Sequence, residues 1–226
     1  MSFPVALRRE VVRVLPYALP LLLCAALIAA RVLYTGTVTF AFLSWNLFLA
    51  ALPLAASAWL RASERSGVRR AWQAPMLALW LLFLPNAPYM LTDLLHLRER
   101  APVPMWYDLA LLLACAGTAL ALGYRSLLDV EGVVARWTGP RAARALAVGV
   151  LFLSGFGIYL GRFLRLNSWE AVTDPLRVVA LVADRFVDPA AHPRTWGVTL
   201  LFGTLLWLGY AALRPHAPAA PVPASR

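Results

Sequence analysis

Leu84-Pro85-Asn86-Ala87-Pro88-Tyr89-Met90-Leu91-Thr92-Asp93-Leu94-Leu95-His96 closes an apolar run that begins at Ala74 and is long enough to enter a bilayer. Each proline removes a backbone donor and clashes with the carbonyl four residues back, here those of Leu81 and Leu84. Interrupted backbone at membrane depth is tolerated only where protein or a wet cavity satisfies the freed groups. The segment therefore predicts a broken membrane helix that forms one wall of a polar site, with other helices packed around it.

The rest of the chain supports a membrane setting. Of its 226 residues, 61% are hydrophobic and 14% charged, with mean hydropathy +0.68. A soluble domain carries about 25% charged residues. The net charge of +10 comes from arginine alone, since lysine is absent. These arginines sit mainly between apolar runs, where topology and anionic headgroups account for them. No soluble basic face exists, so nucleic acid is excluded as a partner and membrane lipids are expected. Cys24 and Cys115 lie in apolar runs and read as small buried hydrophobes, without a disulfide between them.

The predicted class is all-α: a polytopic bundle of six transmembrane helices over 14–213. The spans are expected at about 14–34, 40–60, 74–91, 106–122, 142–164 and 195–213, each near the roughly 20 residues that cross the hydrocarbon. Residues 1–13 read as a basic cytoplasmic leader with Arg8, Arg9 and Arg13, and 214–226 as a disordered cytoplasmic tail rich in Ala and Pro. A cleaved signal peptide is the competing reading of the first run. The run is long for a signal core and no small-x-small site follows it, so an uncleaved helix is expected. Between spans five and six, Asp174-Pro175 reads as a helix start. Leu176, Val179, Ala180, Ala183, Phe186 and Val187 then share one face. This predicts an amphipathic helix on the membrane surface; a packing helix of a small external lobe is the alternative. Six spans put both termini on one side with thirteen of the 21 arginines, which makes that side cytoplasmic. The cell inner membrane is the expected location.

Polar residues from four spans then fall at the outer leaflet: Asn46, Asn86, Asp93, His96 and Asp108, followed by Tyr159, Arg162, Arg165, Asn167 and Glu170. Ionisable groups near hydrocarbon pair or line a wet cavity. If a helix resumes at Pro88, Tyr89, Asp93, His96 and Arg100 share a face. Gly157 and Gly161 form a small-xxx-small pair that admits a close helix and would bring Arg162 near Asp93 or Asp108. Asp93, His96 and Asp108 are the expected catalytic, proton-handling residues. Asn46, Asn86, Tyr89, Tyr159, Arg162, Arg165 and Asn167 are the expected substrate contacts, with the arginines suited to phosphate or carboxylate. Each has a structural alternative. Asp93 and His96 also fit a metal pair or a hydrogen-bonded structural pair, Asn86 fits a cap on freed carbonyls, and arginines at span ends snorkel to headgroups. Only three histidines occur, in no ligand-like pattern, and no metal or cofactor is expected.

Trp45-Asn46-Leu47-Phe48-Leu49-Ala50, Phe83–Tyr89 with Thr92–His96, Trp106-Tyr107-Asp108 and Gly157–Trp169 resemble the bacterial membrane family catalogued as domain of unknown function 1361. The resemblance implies a multi-pass bacterial inner-membrane protein and brings no activity with it. Three functions remain in competition. One is an enzyme or binding protein for an anionic or lipid-linked substrate at the outer leaflet. Another is a transporter or permease, against which the cytoplasmic half of the spans offers few polar residues. The third is a structural assembly subunit. No nucleotide loop, nucleophile elbow or multi-histidine signature is present.

Overall fold

The third span breaks where its prolines stand. In the computed structural model, which describes residues 1–214, α4 (Arg70–Phe83) stops just before Pro85. A single turn, α5 (Asn86–Tyr89), follows, and then a 3-10 helix over Met90–His96. From Met90 onward the resumed helix is thus not α-helical. The 3-10 period of three eclipses i with i+3, so Tyr89 aligns with Thr92 and Asp93 with His96. Arg100 falls outside this helix, and its guanidinium donates to the His96 carbonyl at 2.9 Å.

Six helical stretches are long and apolar enough to cross a membrane, and no strand forms among the described residues. The first comprises α1 (Phe3–Val14), a 3-10 turn containing Pro16, and α2 (Ala18–Thr35). Residues 1–13 are therefore largely part of a helix and not a separate leader: α1 packs on α3 (Phe42–Arg65), with Ala6 and Glu10 buried. The fourth helix, α6 (Met105–Thr138), runs 16 residues past its expected end at 122. Its 34 residues extend about 51 Å at 1.5 Å per residue, beyond a hydrocarbon core of about 30 Å. Gly139 turns the chain at φ 88° into α7 (Pro140–Phe163), against which α10 (Pro193–Leu213) packs. Between them lie the short α8 (Glu170–Thr173) and α9 (Pro175–Val187), the latter capped by the Asp174 carboxylate. Leu176, Val179 and Val187 of α9 are exposed, as a helix lying in the interface requires. The tail expected over 214–226 lies, beyond Arg214, outside the described residues.

The central element is α6. Leu127 and Val130 join one apolar core with α3, α4, α7 and α10, while Leu111, Leu112 and Cys115 join a second with α2, α3 and α5. Cys24 and Cys115 are buried free thiols, as expected. Each end of α6 also carries a buried acid. Asp108 and Asp129 stand about 32 Å apart along the axis, close to the hydrocarbon thickness. At the Asp129 end, Arg13 and Arg125 bind Asp129, and Glu10 takes Arg13, Arg61 and Arg65 at 2.9, 3.1 and 2.6 Å. Tyr210 and Arg214 bind Glu131 nearby, so both described termini meet at this end. The expectation of few polar groups in that half fails. Glu10, Asp129 and Glu131 are buried there, each matched by arginine because an unpaired charge at that depth is costly.

Candidate functional site

The opposite end is organised around Asp93, which the 3-10 segment turns inward. Its carboxylate accepts from the Asn46 amide on α3 at 3.0 Å and from the Arg162 guanidinium on α7 at 2.5 Å. Arg162 Nε also donates to the Thr92 hydroxyl at 2.8 Å, and the guanidinium lies 4.7 Å from the centre of the Tyr89 ring. Tyr89 at the end of α5 and Thr92 and Asp93 of the 3-10 helix thus meet the same arginine. Three spans are tied by charge-assisted hydrogen bonds and a cation–π contact.

Glycines let this happen. A side-chain carbon at Gly157 would come within 2.7 Å of Pro85 Cβ, and one at Gly123 on α6 within 2.8 Å of Ala87 Cβ. The broken turn is held between two helices at positions where only hydrogen fits. Inside it, the Ala87 N–H turns to Leu84 O, which deprives the Phe83 carbonyl of its α-helical partner. The Asn86 amide replaces that donor at 2.9 Å and donates also to Ser168 Oγ at 2.9 Å. Asn86 therefore caps the break, one of its two expected roles, and also lines the cavity beside it.

That cavity measures about 110 Å³, enough for several waters. Asn46, Asn86, Tyr89, Asn167, Trp45 and Trp169 line it, with Ser168 beside them. The two tryptophans meet edge to face at 6.4 Å. Of the expected substrate contacts, Asn46, Asn86, Tyr89 and Asn167 stand in its wall. Asp93 and Arg162 stand behind it as a neutralised pair, so they do not form a free anion clamp.

The other expected residues lie elsewhere. Asp108 is not part of this group: Arg31 of the first span holds it bidentately at 2.6 and 3.1 Å. The close helix approach therefore delivers Arg162 to Asp93 alone. His96 is 42% exposed and 3.8 Å from the Asp93 carboxylate, with its ring against Phe42 at 5.4 Å. Tyr159 is buried and stacked on Phe163 at 5.5 Å. Arg165 is exposed, lies just past the end of α7 and adopts φ 57°, a left-handed conformation that does not continue the helix. Arg31, Thr92, Ser168 and the wall role of Trp45 and Trp169 escaped the sequence reading. An arginine flanked by Ala30 and Val32 was the available signal for Arg31, since a charge inside a span needs a partner.

The loop behind Trp169 is held by Glu170. The Asn167 side-chain amide and backbone N–H donate to its carboxylate at 2.9 and 3.1 Å. These hydrogen bonds hold the Glu170 carboxyl below the usual carboxylate range. With the folded pKa lowered, the stabilisation is complete above the ordinary glutamate value of about 4.3. It is lost as pH falls through the folded value. Acidification is expected to loosen this turn, seen as faster amide hydrogen exchange from Leu166 to Thr173. Glu170→Gln is expected to abolish the pH step; an unchanged step in that variant would remove Glu170 as its cause.

A family model described as "Protein of unknown function (DUF1361)" matches residues 45–208. The match includes every residue named in the cavity wall and the Asp93–Arg162 pair. No curated protein and no solved structure matches the chain.

Proposed function

The chain belongs to the DUF1361 family of proteins of unknown function, and we propose that this multi-pass membrane protein binds the polar headgroup of a membrane-resident ligand at its Asp93 end. The observation that carries the reading is the polar-walled cavity at the mouth of an apolar bundle, built from separate spans and flanked by the Asn167–Trp169 loop. Ligand sites combine apolar walls with a few placed polar groups, and this wall supplies amides, a hydroxyl and aromatic rings. The arginine excess at the other end supports an outer-leaflet position for the cavity and cytoplasmic termini, in a cell inner membrane.

The arrangement favours binding over catalysis. Both Asp93 oxygens are engaged by Asn46 and Arg162, so the acid acts as a support. Binding is also favoured over transport. Between the two charged ends, Leu111, Leu112, Leu122 and Leu127 are each at most 2% exposed, which gives a polar solute little to follow.

Extraction in mild detergent followed by native mass spectrometry tests the reading. The wild-type protein is expected to keep a bound lipid species. Trp169→Ala, a change at a residue 42% exposed, is expected to lose it by about tenfold while keeping its thermal midpoint. No retained lipid, or equal retention in the variant, would overturn the assignment.

A further inference from the structure

We infer that the ligand is a lipid with a neutral, hydroxyl-rich, sugar-type headgroup, which fills the cavity while its hydrocarbon chain lies in an apolar groove along α4, α7 and α9. The inference rests on the reading that the cavity binds a headgroup, and adds the chemistry of both halves.

The groove supplies the first argument. It encloses about 440 Å³, within the roughly 300–1,000 Å³ of ligand sites. Leu81 and Leu82 of α4, Leu153 and Leu160 of α7, and Val178 and Val182 of α9 form its walls. It adjoins the cavity. Pro85, Gly157, Gly161, Leu166, Asn167 and Ser168 line both groove and cavity. A single molecule entering there meets hydrocarbon walls along the spans and amides at their end. That sequence of surfaces matches a lipid and mismatches a water-soluble solute, which would leave the groove unfilled.

Charge supplies the second argument. Among the described residues, no charged side chain lines the cavity. Arg162, the guanidinium behind its wall, is neutralised by Asp93 and already donates to Thr92. A phosphate or carboxylate needs an available cation to offset its desolvation. Amide and hydroxyl groups instead exchange donors and acceptors with hydroxyls without moving net charge. Asn46, Asn86, Asn167 and Ser168 provide these, and Trp45, Tyr89 and Trp169 add aromatic surfaces. An aromatic face is electron-rich, so it attracts the weakly positive C–H groups on the flat side of a pyranose ring.

The test uses the full-length protein in phosphatidylcholine nanodiscs, with tryptophan fluorescence and native mass spectrometry as readouts. Glucosyl-diacylglycerol, phosphatidylglycerol and free glucose are titrated separately. Saturable binding of the glucosyl lipid is expected, at least about tenfold tighter than either of the others. Trp169→Ala and the groove-filling Val182→Trp are each expected to weaken it by a similar factor. Phosphatidylglycerol binding as tightly as the glucosyl lipid would overturn the neutral-headgroup inference and leave the binding function standing. Glucose binding as tightly, or Val182→Trp without effect, would overturn the chain-in-groove half. If no lipid binds at all, this inference and the proposed function both fail.

Discussion

Asp93→Ala is expected to produce the largest loss of folded protein of any single change at this end of the bundle. Asp93 and Arg162 expose 2% and 16% of their side chains, so the truncation leaves a largely buried guanidinium without its counter-charge. Breaking one side of such a pair costs about 3–5 kcal/mol, a large part of a total stability of about 5–15 kcal/mol. Asn46 loses its acceptor in the same step. Asp93→Asn keeps one acceptor oxygen and the side-chain volume, and is expected to lose less. Adding Arg162→Met to Asp93→Ala removes the stranded charge and is expected to recover more than about 1 kcal/mol, the coupling of groups in direct contact. Thermal unfolding followed by size-exclusion chromatography reads all four proteins. An Asp93→Ala midpoint equal to wild type would show that the pair does not hold the bundle together.

Gly157→Leu is the second large effect. The first added carbon meets the Pro85 ring at 2.7 and 2.9 Å, and a proline ring has no rotamer with which to yield. Either α7 withdraws or the broken turn shifts, and overpacking of this kind costs about 1–3 kcal/mol and sometimes more. Withdrawal of α7 would also pull Arg162 off Asp93, so loss of the ion pair adds to the steric penalty. Gly149 on the same helix has open space around its α-carbon, and Gly149→Ala is expected to be neutral or stabilising by up to about 1 kcal/mol. Equal midpoints for the two variants would mean that α7 does not need to approach the break.

What the sequence made legible follows from what periodicity and proline report. Both act locally, so the six spans and the break at Pro85 could be read, and Asn46, Asp93 and Arg162 could be placed at one depth. Partner choice is set by packing and was not legible. Asp108 is expected at the same depth as Asp93, yet Arg31 claims it. Arg162 and Arg165 lie one turn apart on an ideal helix, but α7 ends between them at Phe163 and Arg165 is itself left-handed. Hydropathy also stops reporting where a helix leaves the hydrocarbon. The last 16 residues of α6 and the buried face of α1 around Glu10 therefore passed as loop and leader.

The most direct test is a density map of the protein in nanodiscs made from its native membrane. A headgroup-sized feature is expected within hydrogen-bonding distance of Asn46, Asn86 and Asn167, continuous with a chain along Leu81, Leu160 and Val182. A cavity closed by its own side chains, or holding only separated waters beside an empty groove, would contradict it.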